Sequence, residues 1–214
     1  GAQDHGYVFE VPSPLRAAAS AQPIVAMGFF PHEAVAVDPV TGDVYLTEDN
    51  GPNSGMYRFV PRSRARRFGA LEQGGRLEML KVLGTHNADL RAVEQGASFH
   101  IEWVPIAEPN ADPEQFAAPF PGFPPIAGVG RSGPYLQGEA LGAARFARGE
   151  GCFHRGDTVY FIDTSGGPAG KGVVWALELA RHGDSNYGGR LTALFVSPSE
   201  EVADNPDNIT VSPL

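Results

Sequence analysis

Three acids, Glu33, Glu150 and Asp207, stand at matching places in a stretch that recurs along the chain, and Arg148 precedes the second of them by two residues. Three carboxylates brought to one point repel one another unless a cation neutralises them. Oxygen donors of this kind suit calcium or another hard cation. A lone acid more often caps a turn or accepts a local backbone bond, so it is the triple register that points to metal. The stretch Asp204-Asn-Pro-Asp-Asn208 is the densest polar cluster. The side-chain oxygens of Asp204, Asn205, Asp207 and Asn208 could ligate calcium or simply close an Asx turn around Pro206. On a strand, Arg148 and Glu150 lie on one face. A guanidinium among metal-bound carboxylates makes sense where an anionic substrate is gripped, because it binds phosphate in a bidentate manner. The alternative is a plain salt bridge to Glu150.

The elements that must carry these residues repeat. One copy reads Glu33-Ala-Val-Ala-Val-Asp-Pro39, then Asp43-Val-Tyr-Leu-Thr-Glu-Asp49, Met56-Tyr-Arg-Phe-Val60 and Gly74-Gly-Arg-Leu77. The other reads Glu150-Gly-Cys-Phe-His-Arg-Gly156, then Asp157-Thr-Val-Tyr-Phe-Ile-Asp163, Val173-Val-Trp-Ala-Leu177 and Gly188-Gly-Arg-Leu191. A period of roughly 40–45 residues holding four strands is that of a β-propeller blade. Asp207-Asn-Ile-Thr-Val-Ser-Pro213 aligns with Glu33 to Pro39 as a third start. The expected fold is therefore all-β, an incomplete set of about two full propeller blades within one domain. Residues 1–12 are read as the end of an earlier blade and 22–84 as a blade. Residues 85–147 are a strand with a long loop insertion, 148–198 a second blade, and 204–214 the start of another. Such an array leaves unpaired edges, so self-association or a complementary segment is expected to close the ring.

Within this frame, period-2 and β-branched patterns predict strands over 34–38, 43–48, 55–60 and 76–83, and again over 149–153, 157–163, 172–179 and 190–196. Tyr7–Val11 reads as a short strand and Phe99–Ile106 as a longer one. Gly138–Ala147 reads as a short helix, the proline-rich 107–134 as a loop, and Gly183–Gly189 as a turn. The 27 Gly and 19 Pro among 214 residues favour short strands joined by turns. A net charge of −9 argues against nucleic acid as a partner. No apolar run reaches the roughly 18 residues of a membrane span, and no signal segment opens the chain. The single cysteine, Cys152, excludes an internal disulfide and is expected to be a packed, inert thiol. Glu48, Asp49 and Asp163, at the far end of the second strand of each copy, read more readily as solvated turn acids. His32, beside Glu33, reads as surface. No nucleophile elbow, zinc-protease helix or P-loop is present.

At these residues the chain resembles the PhoX family of bacterial alkaline phosphatases. The resemblance is carried by His32-Glu-Ala-Val-Ala-Val-Asp-Pro39 with Val44-Tyr-Leu-Thr-Glu-Asp49, by Phe146-Ala-Arg-Gly-Glu-Gly151 with Val159-Tyr-Phe161, and by Asp204-Asn-Pro-Asp-Asn208 followed by Val211-Ser-Pro213. It implies a six-bladed propeller that hydrolyses phosphate monoesters at a calcium and iron cluster, in the periplasm or outside the cell. On that view Glu33, Glu150 and the Asp204–Asn208 loop match metal ligands, Glu150 and Arg148 match catalytic positions, and Arg148 matches a contact to the substrate phosphate. The family's further acids and an iron-bridging cysteine have no counterpart here, and Cys152 does not match that cysteine. The chain alone is therefore expected to hold metal poorly. Two other classes stay open: a non-catalytic module with structural calcium, and a lactonase-type propeller, which would not call for Arg148.

Overall fold

The computed structural model describes residues 6–12, 20–114, 130–180 and 188–213. Nine antiparallel strands form one sheet. They are β1 (His32–Val37), β2 (Val44–Glu48), β3 (Met56–Pro61), β4 (Gly75–Val82), β5 (Ser98–Ile106), β6 (Gly149–Arg155), β7 (Thr158–Asp163), β8 (Val173–Leu179) and β9 (Gly189–Val196). Their order across the sheet is β1-β2-β3-β4-β5-β9-β8-β7-β6. The two sequence repeats are thus two four-stranded meanders, β1–β4 and β6–β9, joined at their outer strands by β5.

Local chemistry sets the turns. Between β1 and β2, the Asp38 carboxylate accepts from Val40 N at 2.8 Å and from the Thr41 hydroxyl at 2.9 Å, closing an Asx turn. Gly42 completes that turn at φ 79°, a conformation that favours glycine. Between β6 and β7, Gly156-Asp157 makes a two-residue hairpin.

The sheet curls into a nearly closed, barrel-like form, because the apolar faces of the two meanders must bury against each other. One buried cluster draws Tyr45, Met56 and Leu80 from the first meander and Val159, Phe161, Trp175 and Leu191 from the second. Phe146 stands edge-on to Phe161 and Trp175, with centroids 5.5 and 5.7 Å away. The terminal strands β1 and β6 come side by side at this closure. There the Thr47 hydroxyl donates to Glu150 O at 2.6 Å and accepts from Ala34 N at 3.1 Å. This one side chain links β1, β2 and β6.

The strand pattern follows the sequence to within two residues at each end, and Phe99–Ile106 is β5. Three expectations changed. Tyr7–Val11 forms one bridge, Phe9 with Pro23, rather than a strand. The helix α1 spans Gly133–Ala140 rather than Gly138–Ala147. Its start is set by Ser132, whose hydroxyl accepts from Tyr135 N at 3.1 Å, and Gly142 at φ 89° follows its end. Residues 204–213 form no strand, yet Gly151 N donates to Asp207 O at 2.8 Å, so this segment runs beside β6. Most of the proline-rich loop, 115–129, and 181–187 of the last turn lie outside the described residues.

Candidate metal and phosphate site

Each of the two aligned glutamates sits in a β-bulge. The pairing of β1 with β2 shifts register between His32 and Val35, and that of β6 with β7 shifts between Gly149 and Cys152. Glu33 and Glu150 lie within these irregular stretches. A bulge bends its strand and re-aims a side chain that regular pleating would send elsewhere. The register that aligns the repeats in sequence therefore also aligns their distortions.

The two bulges meet at the seam between β1 and β6. Glu33, Asp49 and Glu150 each bring a carboxylate oxygen within 4.8 Å of the others. Glu33 is exposed, Asp49 half-buried and Glu150 buried. Asp49 follows β2 directly, and its N–H donates to Pro31 O at 3.0 Å, which fixes it across from the start of β1.

Arg148 spans the seam. Its Nε donates to Asp49 Oδ1 at 2.9 Å and its Nη2 to Asp49 Oδ2 at 3.0 Å, a bidentate pair. Nη2 also donates to Glu150 Oε1 at 2.8 Å. The Arg148 backbone is left-handed, φ 62°, held by donation of its N–H to Gly51 O and Ser54 Oγ. Asn205, two residues before Asp207, is also left-handed at φ 48°, and its N–H donates to Lys171 O at 3.1 Å. Arg148 and Asn205 thus occupy equivalent backbone positions, each bonded to the second hairpin loop of the preceding repeat.

The electrostatics centre on Glu150. Its side chain is 1% exposed, and Oε2 has no hydrogen-bond partner among the described residues. Burial raises its pKa to about 7, helped by the negative charges of Asp49, Asp207 and Glu33 and opposed by Arg148. A buried carboxylate with one donorless oxygen, beside two further carboxylates, is what a hard cation would satisfy.

The remaining predicted residues divide. The Asp207 carbonyl is bonded to β6, and its charge acts on both Glu150 and Arg148. Asn208 Nδ2 lies 3.3 Å from Asp207 Oδ2. Asp204 pairs instead with Lys171 Nζ at 2.9 Å. The Asn205 amide donates to Thr164 O at 2.8 Å and to Gly170 O at 3.3 Å, which anchors the loop. Asp49 is the member that sequence reasoning set aside. The signal available was its place just past β2, antiparallel to the bulge that carries Glu33.

The neighbouring titratable groups are enclosed by the fold. Glu48 is fully buried, accepts from the Tyr57 hydroxyl at 2.7 Å and from Gly55 N at 3.1 Å, and has its pKa raised by burial to about 7. Asp163 holds the equivalent position in the second repeat, accepts from Ala147 N at 2.9 Å, and is pushed well above the usual carboxylate range by burial. Both are therefore buried acids rather than solvated turn acids. His32 is not a surface residue either: its Nε2 lies 3.1 Å from Gly28 O, its ring packs at a tilt against Phe30, and burial lowers its pKa to about 4.

A family model described as alkaline phosphatase PhoX matches residues 1–214. The chain belongs to the PhoX alkaline phosphatase family. No curated protein and no solved structure matches it. Among the described residues, no helix is long and apolar enough to cross a membrane.

Proposed function

We propose that the seam between β1 and β6 is the cation and phosphate site of a metal-dependent phosphomonoesterase. The observation that carries this reading is the convergence of Glu33, Asp49 and Glu150 within 4.8 Å, with a partnerless buried oxygen on Glu150 and a guanidinium at its edge. Glu33, Asp49 and Glu150 hold the cation, with Asp207 adding charge nearby. An all-carboxylate set suits calcium. Iron enters by family membership alone, and Cys152, a half-buried residue whose thiol is pushed up to a pKa of about 12 by desolvation, is not offered as its ligand.

The chain's own residues divide the work. When bound, the cation supplies Lewis acidity toward a phosphoryl oxygen and offsets its charge. Arg148 orients the phosphate by bidentate contact, turning toward it the donors that Asp49 and Glu150 otherwise occupy. The bulges fix Glu33 and Glu150 on the rigid sheet, so neither carboxylate needs to reorganise as charge develops. Small phosphate esters are the substrate class, and the periplasm or extracellular space is the compartment proposed from the family.

The fold proposed to carry this site is a propeller in which β1–β4 and β6–β9 are adjacent blades. Its support is the recurrence of one step. Glu150 O reaches Ala34 through the Thr47 hydroxyl, and Asp207 O accepts directly from Gly151, the residue aligned with Ala34. Val35 and Val37 on β1 are 50% and 49% exposed. On this reading a further inner strand covers them, supplied by a complementary segment or a second copy.

The bidentate Arg148–Asp49 pair favours a second reading, in which the arginine locks the seam and the cation is only structural. Hydrolysis of p-nitrophenyl phosphate by the chelated and calcium-restored protein separates the two. Phosphatase activity that returns with metal and is lost in Arg148→Ala and Glu150→Gln supports the enzyme. Metal-dependent stability without any hydrolysis supports the structural role.

A further inference from the structure

We propose that Ser54 is a positioning residue that aims Arg148 at phosphate; this rests on the phosphate-gripping role of Arg148 given above. Ser54 lies in the β2–β3 loop of the first meander, fully buried, whereas Arg148 immediately precedes β6 of the second. Three backbone N–H groups converge on the Ser54 hydroxyl oxygen: Arg148 at 2.8 Å, Gly149 at 3.3 Å and Asn50 at 3.3 Å. The Ser54 backbone also exchanges both hydrogen bonds with Phe146, at 3.2 and 3.0 Å. The loop of one repeat is thereby pinned to the arginine of the next.

The left-handed backbone at Arg148 explains why such a hub is needed. A residue with a long side chain adopts that conformation at a cost, and persists there only where its surroundings over-determine it. The equivalent position, Asn205, has an asparagine, which tolerates left-handed geometry, and its own amide bonds the loop. Arg148 has no such local help, because its side chain extends to Asp49 and Glu150. The Ser54 oxygen supplies a second acceptor for the Arg148 N–H, beside Gly51 O. Removing it leaves Gly149 N–H and Asn50 N–H without this partner and leaves Gly51 O as the remaining acceptor for Arg148 N–H, which loosens the backbone that sets the direction of the guanidinium. Bidentate contact to phosphate depends on that direction.

Titration calorimetry of the calcium-loaded protein with inorganic phosphate tests the assignment. Ser54→Ala should weaken phosphate binding by about tenfold, the scale of one misaligned charge-assisted contact, while leaving calcium affinity within about twofold. Ser54→Cys, near-isosteric with a poor acceptor, should show the same trend if the alanine variant folds badly. In an Arg148→Ala background, Ser54→Ala should cost nothing further, because it acts through the arginine. Unchanged phosphate affinity in Ser54→Ala, or an undiminished loss in the Arg148→Ala background, overturns the role of Ser54 alone. If Arg148→Ala itself binds phosphate as the wild type does, the phosphate role of Arg148 and that of Ser54 fall together.

Discussion

Arg148 pairs with Asp49 through two parallel hydrogen bonds, at 2.9 and 3.0 Å, across the seam where the two repeats of the chain meet. The pair joins a residue from the second repeat to one from the first, 99 positions apart. It keeps a cationic fork beside three clustered carboxylates, one of them buried with an oxygen to spare.

Substitution of Arg148 should therefore act on phosphate rather than on the fold. Arg148→Ala is expected to lower kcat/KM for a phosphate monoester by about 10–100-fold, the loss of one or two charge-assisted hydrogen bonds. Arg148→Lys should recover only part of it, because an ammonium cannot make the bidentate contact. Steady-state kinetics on p-nitrophenyl phosphate across the three proteins checks the order.

Glu150→Gln keeps shape and removes charge. Calcium affinity measured by calorimetry should fall by about tenfold or more, because one of the three clustered carboxylates proposed to hold the cation is gone. Thermal stability of the metal-free variant should hold or rise, since a buried carboxylate without full pairing is lost.

Thr47 is the only side chain linking β1, β2 and β6 at the seam among the contacts described above. Thr47→Val removes its hydroxyl and leaves Ala34 N–H and Glu150 C=O without that partner. Urea unfolding should show a loss of about 1–3 kcal/mol.

Glu48 and Asp163 give the fold a pH dependence of defined sign. Both have native pKa values raised above the ordinary carboxylate range by burial, Glu48 to about 7. The native state then keeps protons that the unfolded chain releases, so stability falls as pH rises from about 4.5 toward 7. In Glu48→Gln this decline should be shallower, and Asp163→Asn should flatten it further. Unfolding curves at pH 5 and pH 8 measure the difference.

Much of this architecture is legible in the sequence, and the reasons are local. Asp38-Pro-Val-Thr-Gly42 announces its turn, and alternation over His32–Val37 and Thr158–Asp163 announces the strands. Two of the three aligned acids, Glu33 and Glu150, come together, because the repeat register is preserved in three dimensions; Asp207 is not in their cluster, and Asp49 is its third member. What escaped depended on contacts that only the folded chain makes. Asp49 looks like a turn acid until β6 brings Arg148 against it. Glu48 and Asp163 look solvated until the curled sheet buries them. Tyr7–Val11 alternates like a strand but finds a partner only at Phe9, and α1 starts earlier than periodicity suggested because Ser132 caps it.

What occupies the seam decides between a phosphatase site and a structural lock. A crystal structure of the protein soaked with calcium and inorganic phosphate tests it most directly. The predicted result is a cation bound by Glu33, Asp49 and Glu150, with phosphate on it and on the Arg148 guanidinium. A seam without a cation, with Arg148 still paired to Asp49 and no phosphate beside it, would contradict a cation and phosphate site there.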